Sequence, residues 1–334
     1  MISVTELRNL ISKVYFDATP MQNVDLSALL DKHSFQEFRN LVGFTNDIPD
    51  AQILENLQSY TDNGEVKRGA VLMFTKQPEE FFPHAVVRCV RFKGLNKVYI
   101  IDDKTFGGTL LTQYNESINW IKNRLQISYS IKDAGPRQEI WEIPLSAFRE
   151  ALLNAMLHRD YYEQGACVTV EMYDDRIEIA NPGGLLPLVA KNFGKRSLTR
   201  NPFLFNMFTR MHLVEHIGSG IPRMVKDMVD AGLPKPEFET EGMFVVTLFR
   251  PVAKYIKEQI EKEKLTERQK SVIEILKKNP NITMEEAGNL LNLGRTTVYQ
   301  TLKELKQKGY VSFAGRKSCG EWLVSEPETG YGIY

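Results

Sequence analysis

Glu150 and Asn154 stand four residues apart in the run FREALLNAMLHRDY, residues 148–161. On a helix that spacing puts a carboxylate and a carboxamide on one face, one turn apart. A carboxylate can orient or deprotonate water, and an amide oxygen can ligate a hard cation. Held rigidly, the pair suits magnesium–nucleotide chemistry. The same spacing also describes the wet side of any amphipathic helix, so its meaning depends on its companions. Ala151, Leu152, Ala155 and Met156 fill the adjoining face and are expected to pack on a sheet.

Two glycine motifs follow. Asn181-Pro182-Gly183-Gly184 ends a predicted strand, and His216-Ile217-Gly218-Ser219-Gly220-Ile221 precedes a predicted helix. Glycines let backbone N–H groups approach an anion, and a helix N-terminus adds partial positive charge. Each motif alone is equally an ordinary turn; their order after the Glu150 helix is the stronger signal.

The elements that must position these residues alternate in short clusters. Helical segments dominate the first sixty or so residues, then HAVVRCVRFKG and KVYIIDD read as strands, and LLTQYNESINWIKNRLQI as a helix. A turn at Gly135-Pro136 marks an expected boundary. After it, CVTVEMYDDRIEIANPGG reads as two strands joined at Asp174-Asp175, and FETEGMFVVTLFRP as a hairpin. Such hairpins favour a two-layer α/β sandwich over a doubly wound sheet. The charged run KYIKEQIEKEK, residues 254–264, reads as a solvated linker. The predicted class is α+β. A small α+β region is expected over 1–140, the sandwich over 141–252, the linker over 253–264 and a winged helix-turn-helix over 265–334.

That last module is expected from helix, helix, short turn, helix and β-hairpin within about sixty residues. Thr266 and Thr283 are placed to cap its first two helices. In the third, Val298, Leu302 and Leu305 form the apolar stripe, leaving Arg295, Thr296, Thr297, Tyr299, Gln300 and Lys303 near the outer face. Those types reach base edges and phosphates in a major groove. Arg316 and Lys317 lie at the expected wing tip. From Lys264 to Val324 there are eleven Lys or Arg against six Glu, a net of +5 in a chain of zero net charge. Binding to double-stranded DNA would then depend strongly on salt. Winged helices also serve as protein-interaction modules.

Zero net charge gives no global field for nucleic acid or membrane, so any basic surface is local. Cys89, Cys167 and Cys319 are widely spaced, which argues for reduced thiols and a cytoplasmic protein. No run has membrane-spanning length or the apolar core of a signal peptide. Five histidines and three distant cysteines give no metal-ligand spacing. His158-Arg159-Asp160 has the letters of a kinase catalytic loop, but Gly165 stands where that loop needs asparagine. It is read as a polar helix end. No Gly-x-x-x-x-Gly-Lys-Ser/Thr loop occurs, which excludes a helicase motor.

Taken in order, the Glu-x-x-x-Asn helix, the strand ending in a glycine loop and Gly-x-Gly opening a helix resemble the GHKL ATP-binding fold of histidine kinases and type II topoisomerases. More narrowly, EALLNAMLHRDY, VTVEMYDDRIEIANPGGL, RNPFLFNMFTRMHLVEHIGSGIPRM and AGLPKPEFE resemble one family. These are predicted transcriptional regulators labelled RecG-like ATP-dependent helicases, with a divergent histidine-kinase-like ATPase region. The resemblance covers about residues 65–250. It implies ATP and magnesium as cofactors, with Glu150 orienting the attacking water and Asn154 ligating magnesium. It places Asn181, Gly183 and Gly184 near the adenine, and Gly218, Ser219 and Gly220 near the phosphates. Leu185–Glu215 would be a lid, with Arg196, Arg200 or Arg210 meeting phosphate. Two features depart from the family. Asn-Pro-Gly-Gly replaces Asp-x-Gly-x-Gly, and the chain begins after most of the Schlafen/AlbA-type domain usual at the N-terminus, as a short member or a fragment would.

The expected function is a DNA-binding transcriptional regulator, dimeric, with a nucleotide or small-molecule effector in its central domain. The alternatives are an ATPase in DNA metabolism or phage defence, docked by its winged helix, and a degenerate scaffold that binds no nucleotide.

Overall fold

A computed structural model of the chain describes residues 15–130, 138–186, 189, 193–194, 198–214, 219–251, 265–307, 310–316 and 319–324. The chain divides after residue 253 into two compact units.

The first unit is built on a six-stranded sheet. Its strands are β3 (Val87–Lys93), β4 (Tyr99–Phe106), β7 (Val168–Met172), β8 (Arg176–Pro182), β9 (Glu237–Glu239) and β10 (Met243–Phe249), in the spatial order β4-β3-β7-β8-β10-β9. Only β3 and β7 run parallel; the other pairs are antiparallel. Strand β8 shows why the sequence makes this sheet. Ile177 and Ile179 are buried while Arg176 and Glu178 alternate on the other side, the period of a strand with one face on the core. On β3 the alternation splits two clusters. Val87 and Cys89 join the main core, whereas Val90 and Phe92 join Tyr173 on the other face, with Phe92 and Tyr173 stacked at 5.1 Å.

Helices α1 (Lys32–Val42), α2 (Asp50–Asn56), α3 (Arg68–Phe74) and α4 (Leu110–Lys122) precede the central helix α5 (Leu145–Leu157). Two small antiparallel pairs accompany them: β1 (Pro20–Met21) with β2 (Val66–Lys67), and β5 (Ile127–Ser130) with β6 (Gln138–Trp141). Helix α5 starts after Pro144, which supplies a fixed φ and needs no donor, and its Ala/Leu-rich body suits a buried helix. Phe148, Ala151, Leu152, Ala155 and Met156 are buried, and so are Leu153 and Leu157. Each large side chain among them contributes roughly 1.5–3 kcal/mol by leaving water. The helix packs on β8 and on α7 (Gly220–Asp230), while α6 (Pro202–Arg210) sends Leu204, Met207 and Phe208 into the same core.

The sheet runs across the division expected at residue 140. Strands β3 and β4 precede it, β3 pairs with β7 beyond it, and β6 straddles it. The Gly135-Pro136 turn, outside the described residues, is flanked by β5 and β6 rather than by separate domains. Residues 1–14 and the expected linker 253–264 also lie outside the described residues. Part of the expected lid, the nine residues Pro202–Arg210, is a core helix instead, because Leu204, Met207 and Phe208 are buried.

The second unit is the expected winged helix: α8 (Glu267–Lys278), α9 (Met284–Leu291), α10 (Arg295–Gln307), and a hairpin of β11 (Val311–Arg316) with β12 (Cys319–Val324). Capping boxes open α8 and α9. Thr266 Oγ1 accepts from Gln269 N at 3.2 Å while Gln269 Oε1 accepts from Thr266 N, and Thr283 and Glu286 do the same. The turn into α10 requires Gly288, since a Cβ there would lie 2.7 Å from Leu293 O. Val272, Leu276, Ile282, Val298, Leu302 and Leu305 form the core, and Trp322 N ties the wing to Pro280 O at 2.7 Å. Among the described residues no helix is long and apolar enough to cross a membrane.

Candidate functional site

Helix α5 carries Glu150 and Asn154 on its only polar stripe facing α7. Asn154 Nδ2 donates to Glu150 Oε1 at 3.0 Å, and Arg223 Nη2 of α7 donates to Glu150 Oε2 at 2.9 Å. The backbone of Gly220 presses on the same carboxylate, where a Cβ would lie 1.8 Å from Oε1. Any side chain there would push the Glu150 carboxylate aside.

Strand β8 delivers Asn181 and Pro182 to the same place. Asn181 is buried; its Nδ2 donates to Pro182 O at 3.2 Å, and its Oδ1 is buried with no hydrogen-bond partner. Buried acceptors are ordinarily satisfied, so this one stands out. Gly183 then turns with φ near 100°, tight against Asp160, which no side chain would tolerate. Asp160 N donates to Pro182 O at 2.8 Å, and Arg200 bridges Asp160 at 3.1 Å and Gly184 O at 2.9 Å.

Glu150, Asn154, Asn181, Gly183, Gly184 and Gly220 all line one pocket of about 970 Å³, its mouth included. Its remaining walls are mostly apolar. Phe193 packs edge-on against Phe238 at 5.2 Å and beside Phe244, closing one side. His158 forms part of the floor. Burial, with Arg200 nearby, pushes its imidazole down to about 4, so it is neutral at pH 7 and can donate or accept. The pocket thus joins mostly apolar walls to the polar groups of Glu150, Asn154, Asn181 and one neutral imidazole.

Of the other expected site residues, Ser219 precedes α7 but does not line the pocket, and Gly218 lies outside the described residues. Of the three arginines left open, Arg200 lines the pocket, Arg210 is exposed at the end of α6, and Arg196 lies outside the described residues. Sequence reasoning missed His158, Arg223 and the phenylalanine cluster. His158 had a legible signal, since positions 150, 154 and 158 share one helical face. Arg223 had none, because its contact spans 73 residues. Among the described residues no group of three or more His, Cys, Asp or Glu could hold a metal.

On α10, Arg295, Thr296, Tyr299, Gln300 and Lys303 are exposed and Thr297 is half-buried, while Val298, Leu302 and Leu305 point into the core. Arg316 ends β11, and Lys317 lies outside the described residues.

Residues 165–249 match the family model described as "Putative ATP-dependent DNA helicase recG C-terminal". That match begins after the helix bearing Glu150 and Asn154. Residues 265–312 match the winged helix-turn-helix DNA-binding model. Among curated proteins none matches. The crystal structure of the DIP2311 protein from Corynebacterium diphtheriae is similar in fold, with a TM-score of 0.60 at 19% identity. The similarity covers 93% of this chain and 64% of that one. This chain carries a RecG C-terminal-like, ATPase-like domain followed by a winged helix-turn-helix DNA-binding domain.

Proposed function

We propose that the protein is a DNA-binding transcriptional regulator whose pocket binds an adenine nucleotide. The observation that carries this reading is the unpartnered, buried Asn181 Oδ1 lining an apolar pocket beside Glu150 and Asn154. With Nδ2 held by Pro182 O, the side chain presents an acceptor, which suits the amino group of adenine and not the oxo group of guanine. A nucleotide that binds only the folded state at 100 times its Kd stabilises it by about 2.7 kcal/mol. ATP is therefore expected to raise the melting temperature of the wild type by several degrees. GTP should not, and Asn181→Leu should remove the ATP effect while folding normally. An unchanged melting temperature at millimolar ATP would leave the non-binding scaffold as the better reading.

The DNA-facing half rests on the exposed polar face of α10. Two copies reading adjacent half-sites would multiply specificity, which is why the regulator is proposed as a dimer. Arg295→Ala is expected to weaken DNA binding about tenfold and to lower the salt slope by about one. Fluorescence anisotropy across a salt series measures both. Wild type that binds no duplex at low salt sinks this half of the reading.

A further inference from the structure

An anionic ligand brought against Glu150 meets a negative charge, and a divalent cation commonly sits between the two. The residues around Glu150 do not fit one. Both carboxylate oxygens already accept, Oε1 from Asn154 Nδ2 at 3.0 Å and Oε2 from Arg223 Nη2 at 2.9 Å. The Asn154 amide turns its nitrogen to Glu150, so the pair offers a cation one neutral oxygen and a carboxylate already ion-paired to a guanidinium. A hard cation prefers several oxygens, and here the nearest charged partner is a guanidinium.

We propose that Arg223 is the resident counter-cation of this pocket, so that the pocket takes its anionic ligand without a divalent metal. This rests on the nucleotide reading above. Arg223 lies one turn into α7, whose first residues, Gly220 and Ile221, line the pocket. Its side chain is 42% exposed, whereas that of Glu150 is 12% exposed. The guanidinium is the more exposed partner of the pair, and its planar fork suits phosphate oxygens. Asn181, a lining residue with an unpartnered Oδ1, holds another part of such a ligand. In this arrangement Glu150 holds Arg223 in place and is not poised to take a proton from water.

Calorimetric titration of ADP and ATP, in excess EDTA and in magnesium chloride, tests this. Wild-type Kd is expected to agree within about threefold between the two buffers. Arg223→Gln should weaken binding about tenfold or more in EDTA, while Arg223→Lys keeps most of it. Wild-type binding that falls tenfold or more when magnesium is removed overturns the proposal alone, as does Arg223→Gln binding like wild type. No binding in either buffer removes the nucleotide reading itself, and this proposal with it.

Discussion

Replacing Arg159 by alanine is expected to destabilise the first unit by about 3 kcal/mol or more, since several carbonyls each lose a hydrogen bond to a charged donor worth about 1.5–3 kcal/mol. Arg159 is 1% exposed and acts as a donor hub. Nη1 donates to Asp160 O at 3.2 Å, and Nη2 to His84 O, Glu163 O and Ala166 O at 3.3, 3.0 and 2.6 Å. The guanidinium also lies 5.0 Å from the centre of the Tyr161 ring. Truncation leaves these part-buried carbonyls without their donor, and each orphaned acceptor costs about 1–3 kcal/mol unless water reaches it. The loop it gathers joins α5 to β7 and includes Asp160, the partner of Arg200 at the pocket. On the proposed nucleotide reading, affinity for ATP should therefore fall along with stability. Arg159→Lys keeps the charge but cannot span four carbonyls, so it should recover only part. Urea unfolding of the three proteins decides the matter; a loss below about 1 kcal/mol for alanine would mean that water replaces the guanidinium.

A pH-dependent stability of similar size is expected from Asp17. Its carboxyl sits in the first described turn and reaches across the fold to accept from Leu204 N at 3.0 Å, near the start of α6. Oδ1 is buried without a partner. Burial pushes its pKa up to about 6, against the lowering effect of backbone N–H groups at Leu204 and Phe203 and of Lys67. The sign follows from proton counting. Between pH 4 and 6 the folded state keeps a proton that the unfolded chain gives up, so stability falls as pH rises through that window. The contribution is whole below about pH 4, and its loss is complete above about pH 6, on the order of 3 kcal/mol. Asp17→Asn keeps an acceptor for Leu204 N and cannot ionise. The variant should equal wild type near pH 4 and exceed it by that amount at pH 7.5. A difference independent of pH in paired unfolding curves would refute the assignment.

Much of this was legible in local pattern. The helix bearing Glu150 and Asn154, the strands on either side of Asp174-Asp175 and both threonine caps follow from periodicity and hydrogen-bonding chemistry over a few residues. So does the outward face of α10, because Val298, Leu302 and Leu305 fix which side is inward. The strand order was not legible. Nothing in VVRCVRFK states that its partner is VTVEM some eighty residues later, since strand pairing across such a distance is decided by packing. The Gly-Pro turn at 135–136 therefore read as a boundary. The roles of His158 and Arg159 were hidden for a related reason. Both were taken as one polar helix end, yet the chain turns between them, placing one in the pocket wall and the other among carbonyls. Arg223 carried no local signal because its partner lies on another helix.

The parallel pairing of β3 with β7 also separates heredity from mechanics. The segment that matches the ATPase-like family starts at residue 165, whereas the body that folds around it reaches back past residue 87. Natural recombination or laboratory dissection at the edge of the match would strip β7 of a neighbour and remove the helix that carries Glu150 and Asn154. The unit that can be inherited, moved between proteins or expressed alone is therefore larger than the unit that similarity outlines.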